Sequence, residues 1–190
     1  LKDKTVLRSQ VDRLLEGRGT SMFVSKFCDE WLDLVMIGFT EPDPKLYPGF
    51  DAIVQNAMLD ETWTTVEMMI RENRSVSELV ESDHTWLNSR LAKFYGIDGV
   101  DGDELRKVTL DRSSHRGGLL TQGSIMKITA NGSNTSPVIR GVWIAERLLG
   151  TPIPPPPSNV PAIEPDIRGS KSIKELLAKN IDQKYEVIRA

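Results

Sequence analysis

Apolar positions in the first third of the chain recur at helical rather than alternating spacing. Leu7, Val11, Leu14 and Leu15 fall on one helical stripe that Gly17 and Gly19 close, which predicts an amphipathic helix. Ser21 is placed to cap a second helix, whose buried stripe reads as Phe23, Phe27, Trp31, Leu34 and Val35. Cys28 lies beside that stripe as a buried structural thiol. Three prolines between Glu41 and Pro48 predict a loop. Asp51 then caps a third helix reaching about Glu72, with an inward face of Ile53, Ala57, Trp63, Val66, Met69 and Ile70.

The middle of the chain is more broken. Ser75–Glu78 matches a capping box before a short helix ending near Glu81. Asp83 is read as the cap of a further helix with Leu87, Leu91 and Phe94 on one face and Gly96 at its end. His84 then falls in its first turn as a partly exposed polar residue. Trp31, Trp63, Leu87, Leu91 and Phe94 are expected in one core. After Ile97 the texture changes. The stretch from Leu105 to Leu110 alternates weakly, as a strand does, and a segment rich in glycine, serine and threonine follows. Ser136, Pro137 and Gly150 then bracket one substantial helix, with Val138, Val142, Ala145 and Leu149 read as its inner face.

Beyond Gly150 the sequence TPIPPPPSNVP cannot continue a helix or enter a sheet centre. Pro152 to Pro157 predict a polyproline II rod of about 19 Å, at roughly 3.1 Å per residue. The expected fold is therefore mainly α. A helical domain over 1–100 precedes a smaller mixed segment over 101–150 with one long helix. A polyproline spacer over 151–161 and a short helix and tail over 162–190 complete the chain.

Composition closes off several classes of function. A net charge of −3 without a basic run argues against a nucleic-acid partner. No apolar stretch is long enough to span a bilayer. One cysteine excludes a disulfide framework, a four-thiolate zinc site and a C-x-x-C-H haem attachment. Two histidines are too few for a histidine-rich metal cluster, and no metal site is expected. The acidic turn Asp98–Glu104 lacks the ligand spacing of a calcium loop. Leu1 is no natural start, so a signal segment is expected outside this fragment.

Two segments look specified. HRGGLL (His115 to Leu120) and NTSPVIRG (Asn134 to Gly141) each pair an arginine with glycine. Glycine permits close backbone approach, and arginine offers a planar fork for a carboxylate or phosphate. Arg116 and Arg140 can thus converge on one anion near a helix start. The alternative is that each guanidinium bonds nearby oxygens and pins irregular backbone. Asp60 and Glu61 are neighbours in sequence and point about 100° apart on a helix, a poor arrangement for a paired-carboxylate mechanism. No nucleophile–base–acid set can be assembled, and catalytic residues stay unassigned.

Several of these motifs together resemble a known bacterial group. They are the pair Glu61–Thr62, L-N-x-R-L-A at Leu87–Ala92 and Y-G-I at Tyr95–Ile97. With them go R-G-G-L-L from Arg116, T-S-P-V-x-R-G-x-W at Thr135–Trp143, and L-L-G-T-P before the proline run. Over about residues 1–180 the chain is similar to two consecutive planctomycete cytochrome-associated domains of unknown function. The resemblance implies an exported or periplasmic multidomain protein, often carrying a c-type cytochrome module. The proline rod then looks like the spacer to a haem-bearing segment of the same full-length chain, where electron transfer takes place. Propionates of that haem are the first candidate anion for Arg116 and Arg140. No cofactor is expected within this chain, because IDQKYEVIRA, where the family pattern has its haem motif, contains neither cysteine nor histidine. Either a stretch near residue 180 is missing or this homologue lacks haem. Two other readings stand beside it: an interaction module bound to other subunits of an exported assembly, and a component of a polysaccharide hydrolase.

Overall fold

A computed structural model describes residues 3–17, 19–133 and 135–154. Asp3 caps α1 (Lys4–Glu16) by accepting from the Thr5 amide, and α2 (Gly19–Trp31) follows after Gly17. A 3-10 segment (Leu34–Gly38) and the proline loop lead to α3 (Ala52–Arg71). Asp51 caps α3 through the Val54 amide at 2.8 Å, as the sequence predicts.

The faces of these helices differ from the expected ones. No residue of α1 is buried, and its stripe of Leu7, Val11 and Leu14 is exposed. In α2 the buried residues are Thr20, Val24 and Cys28, continued by Leu32, while Phe23 and Phe27 face outward. Two stripes of equal period compete there. The slimmer side chains form the face that α2 presents to the core, and the bulky rings stack on one another at the surface, Phe23–Phe27 at 6.1 Å and Phe27–Trp31 at 5.3 Å. Leu34 is buried as expected, whereas Val35 is exposed.

In α3 the inward face is Val54, Ala57, Met58, Glu61, Thr62 and Val66, and Ile53 is exposed. These positions keep strict helical spacing only when two polar residues are admitted to the core. Excluding them turned the predicted face away from its true direction.

The helix expected from Asp83 is instead a strand followed by a helix. β1 (His84–Leu87) pairs antiparallel with β2 (Arg106–Thr109), His84 opposite Thr109 and Leu87 opposite Arg106. Asn88 is the real cap, accepting from the Leu91 amide at 2.9 Å, and so α4 (Ser89–Tyr95) cannot begin earlier. His84 is accordingly buried. Its Nδ1 lies 2.8 Å from Asp83 and its Nε2 3.1 Å from the Arg74 guanidinium.

After β2 the chain runs through two short 3-10 turns to α5 (Gly123–Ile128) and then α6 (Pro137–Trp143), which widens into a π-turn (Ile144–Leu148). Ser136 caps α6 and Gly150 ends the segment at φ 63°. Its inward anchor is Trp143, and Val138 and Leu149, read as inner, are exposed. Residues 151–154 are exposed and carry no regular structure, and the rest of the spacer and the expected helix over 162–190 lie outside the described residues.

The buried apolar residues form two clusters rather than the single core expected. One joins Val24, Cys28, Leu32, Leu34 and Val66 to Leu119, Ile125 and Trp143. The other joins Ile37, Val54, Ala57 and Met58 to Leu87, Leu91 and Ala92. Residues of α3 enter both. Leu87 and Leu91 are fully buried as expected, but Trp31, Trp63 and Phe94 are only partly covered. The described residues up to Ile153 pack as one compact unit, and the packing runs across residue 100.

Candidate functional site

Glu61 is the most unusual residue of the interior. It is 1 % exposed, on the core face of α3. The Thr85 hydroxyl from β1 donates to Oε1 at 2.5 Å, and the Tyr95 hydroxyl at the end of α4 donates to Oε2 at 2.6 Å. The same Tyr95 oxygen accepts the Gly123 amide at 2.7 Å, at the start of α5. Burial pushes the Glu61 carboxyl up to about 7, against the opposing pull of its two hydroxyl donors and the charge of Arg116. Burial and the neighbouring Glu61 likewise push the Tyr95 hydroxyl well above the usual phenol range.

One residue along α3, Thr62 begins a second buried chain of hydrogen bonds. Its hydroxyl meets Ser124 Oγ at 2.6 Å and Gln122 Oε1 at 2.8 Å. Gln122 in turn donates to Thr65 Oγ1 at 2.9 Å. Every buried side-chain polar atom among the described residues finds a partner. The Glu61–Thr62 pair thus fastens the first part of the chain to Gln122, Gly123 and Ser124 of the second.

The R-G-G motif fits against the same node. The Arg116 guanidinium carbon lies over the Tyr95 ring, 3.7 Å from its centre, and Nη1 donates to the Thr121 carbonyl at 2.9 Å. Gly118 has φ 75°, and a Cβ there would sit 2.4 Å from the Val80 carbonyl oxygen. Gly123 is as tightly held, because a Cβ would sit 2.5 Å from the Tyr95 hydroxyl. A side chain at Gly118 collides with backbone, and one at Gly123 would have to displace the Tyr95 hydroxyl and the Met58 side chain.

Arg140 finds different company. It donates from Nε to Thr129 Oγ1 at 3.2 Å and from Nη2 to Thr135 Oγ1 at 2.7 Å, holding the loop between α5 and α6. Among the described residues no group accepts from both Arg116 and Arg140.

A cavity of about 400 Å³ opens beside the node. Tyr47, Phe50, Phe94 and Tyr95 line it, with Met58 and Met126, and its surface is mainly apolar. Arg116 and Lys127 supply its charge, and His115 stands at its exposed rim. Lys127 is buried and donates from Nζ to the carbonyls of Ile37 and of Thr40, the latter at 2.7 Å. Burial holds its ammonium below the ordinary lysine range, with Glu41 acting in the opposite direction.

Of these residues, Arg116 stands out in the sequence by its motif and Tyr95 only within the family motif Y-G-I, whereas Gln122, Gly123 and Lys127 do not stand out. The signal for Glu61 and Thr62 was present in the helical period of α3. Lys127 carries no comparable signal, because its carbonyl partners lie about ninety residues earlier.

Comparison with family models bears on which motifs these are. The PSD4 model, a protein of unknown function (DUF1592), matches residues 1–97, half of the chain. The chain belongs to the PSD4 family. The PSCyt3 model, likewise of unknown function (DUF1588), matches residues 116–185. Both are planctomycete cytochrome-associated families. No curated protein and no solved structure matches the chain. Glu61, Thr62 and Tyr95 therefore belong to the PSD4 region, and Arg116, Gln122, Gly123 and Ser124 to the PSCyt3 region. The buried node is where the two regions meet.

The family names raise the question of haem. Covalent c-type attachment takes two thiols and a histidine in C-x-x-C-H. This chain has one cysteine, Cys28, which is fully buried and whose thiol is pushed up to about 12 by burial and by Asp29. These residues do not fit a covalently attached haem. Among the described residues no group of histidine, cysteine and carboxylate side chains is placed to hold a metal ion, and no helix is long and apolar enough to cross a membrane.

Proposed function

We propose that this chain is the scaffold portion of an exported, periplasmic multidomain protein, linked to a c-type haem module that carries the electrons. The observation that supports it best is the shared node. Thr62 of the PSD4 region is bonded to Gln122 and Ser124 across the family boundary, and Tyr95, which donates to Glu61, accepts the Gly123 amide across it. Two tryptophans add to that connection. Trp143 donates to the Leu32 carbonyl at 3.1 Å, and Trp31 donates to the Arg147 carbonyl at 2.7 Å. A scaffold has to hold its attached modules at fixed positions, and buried, fully paired polar contacts specify one arrangement of two regions. The cytochrome association of both families supplies the haem side of the reading. Its partner is the haem-bearing segment of the full-length polypeptide. The proposal of haem propionates on Arg116 and Arg140 draws on their charge, their planar forks and the glycine beside each, and competes with the nearby oxygens that each guanidinium already bonds.

The hydrolase reading has no comparable support. Glu61 has the raised carboxyl that an acid catalyst needs, but both its oxygens meet hydroxyls and not a second carboxylate. A haem-free interaction module is favoured by one feature, the exposed apolar row of α1 together with Phe23 and Phe27. Absorption spectra in oxidised and reduced form separate the two. The full-length polypeptide is expected to show a haem Soret band and the 190-residue chain none. A full-length protein without that band overturns the scaffold reading in favour of the interaction module.

A further inference from the structure

The cavity beside the node does not follow from a scaffold role. A scaffold needs no such cavity, and this one sets two cations in a mainly apolar wall.

Three features of its wall belong together. The first is unspent positive charge. An ammonium has three donors, and Lys127 gives two of them to the Ile37 and Thr40 carbonyls. Arg116 commits Nη1 to Thr121. Neither cation forms an ion pair among the described residues. Glu61 acts on Arg116 from behind Tyr95, and Glu41, near Lys127, is exposed to solvent. With no carboxylate among the described residues paired to either cation, the wall is positive and suits an anion of low charge.

The second feature is an aromatic, apolar wall next to that charge. Phe50 and Phe94 meet edge to face at 6.1 Å, and the Lys127 ammonium lies 5.5 Å from the Phe50 ring centre. A head group bound to Lys127 therefore brings its body against Phe50. The third is size. A cavity of about 400 Å³ lies at the small end of the roughly 300–1,000 Å³ of ligand pockets, which are largely apolar with a few fixed polar groups.

The geometry points to a binding site for a small monoanionic carboxylate with a flat, apolar body, its head on Lys127 and Arg116 and its body against Phe50 and Phe94. Sugars and polyphosphates fit less well, the first because the wall is mainly apolar, the second because two cations cannot neutralise the several charges of a polyphosphate. This site is independent of the scaffold reading, and neither depends on the other.

Benzoate is the probe, added to the 190-residue chain with the methionine methyls labelled for NMR, since Met58 and Met126 line the cavity. Benzoate is expected to shift both methyls saturably. Benzamide, which keeps the ring without the charge, and acetate, which keeps the charge without the ring, are each expected to bind at least about tenfold more weakly. Lys127→Met should remove the preference of benzoate over benzamide. Because Lys127 also holds two carbonyls, that variant can fail to fold. Met126→Trp alters an exposed side chain at the cavity and is expected to block benzoate with the fold intact. The proposal is overturned by absence of a saturable shift at millimolar benzoate. Benzamide binding as tightly as benzoate, or undiminished benzoate binding to Met126→Trp, overturns it equally.

Discussion

At the scale of single residues, Glu61 links the fold to pH. Its carboxyl is pushed up to about 7 in the folded chain, from an ordinary value of 4.5. Between those values the folded state holds a proton that the unfolded state has lost. Stability from this residue is therefore full below about pH 4.5, falls as pH rises toward 7, and is level above that. The expected loss is on the order of 3 kcal/mol, taking about 1.4 kcal/mol for each pH unit. Glu61→Gln keeps the shape and stays neutral, so urea midpoints of the variant should change far less between pH 5 and 8 than those of the wild type. Equal slopes for both would place the pH dependence elsewhere. The same residue shows what a sequence withholds. A glutamate is left out of a helix face chosen by apolar residues alone, because burying a carboxyl is costly until hydroxyls arrive to bond it. Those hydroxyls, Thr85 and Tyr95, are 24 and 34 residues away.

Elements were legible where local rules decide them. Asp51 and Ser136 as caps, Gly150 as a stop and β2 as a strand all depend on near neighbours. The faces of the helices were less legible, since the choice between two equally periodic stripes is made by the surface opposite. In α6 this gives a direct check. Val138 was expected inward and is 64 % exposed, whereas Trp143 is 7 % exposed and donates to the Leu32 carbonyl. Trp143→Ala should cost about 3–5 kcal/mol in urea unfolding, and Val138→Ala no more than about 0.5 kcal/mol. The reverse order would restore the face read from periodicity. β1 was missed for a related reason. Asn88 and Asp83 are both acceptable caps, and only pairing with β2 settles that the chain before Asn88 is extended.

At the scale of the whole molecule, the described parts of the two family regions share one core. Family models end one match at residue 97 and begin the next at residue 116, yet one core cluster draws Val24, Leu32 and Val66 from the first region and Leu119, Ile125 and Trp143 from the second. A chain ending at residue 97 would expose that apolar surface. It would also leave the Thr62 hydroxyl without Gln122 and Ser124. Glu61 would keep Thr85 and Tyr95 but lose the cover that Gly123 and Arg116 give Tyr95. Unpaired buried groups cost about 1–3 kcal/mol each, and lost apolar burial adds to this, against a total stability of roughly 5–15 kcal/mol for a domain. The 1–97 fragment is therefore expected to show no cooperative thermal transition by circular dichroism. The 190-residue chain is expected to unfold in one transition that coincides with its tryptophan fluorescence, as two-state unfolding requires. A sharp transition in the isolated fragment would mean that the PSD4 region is an independent domain and that the node only docks its neighbour.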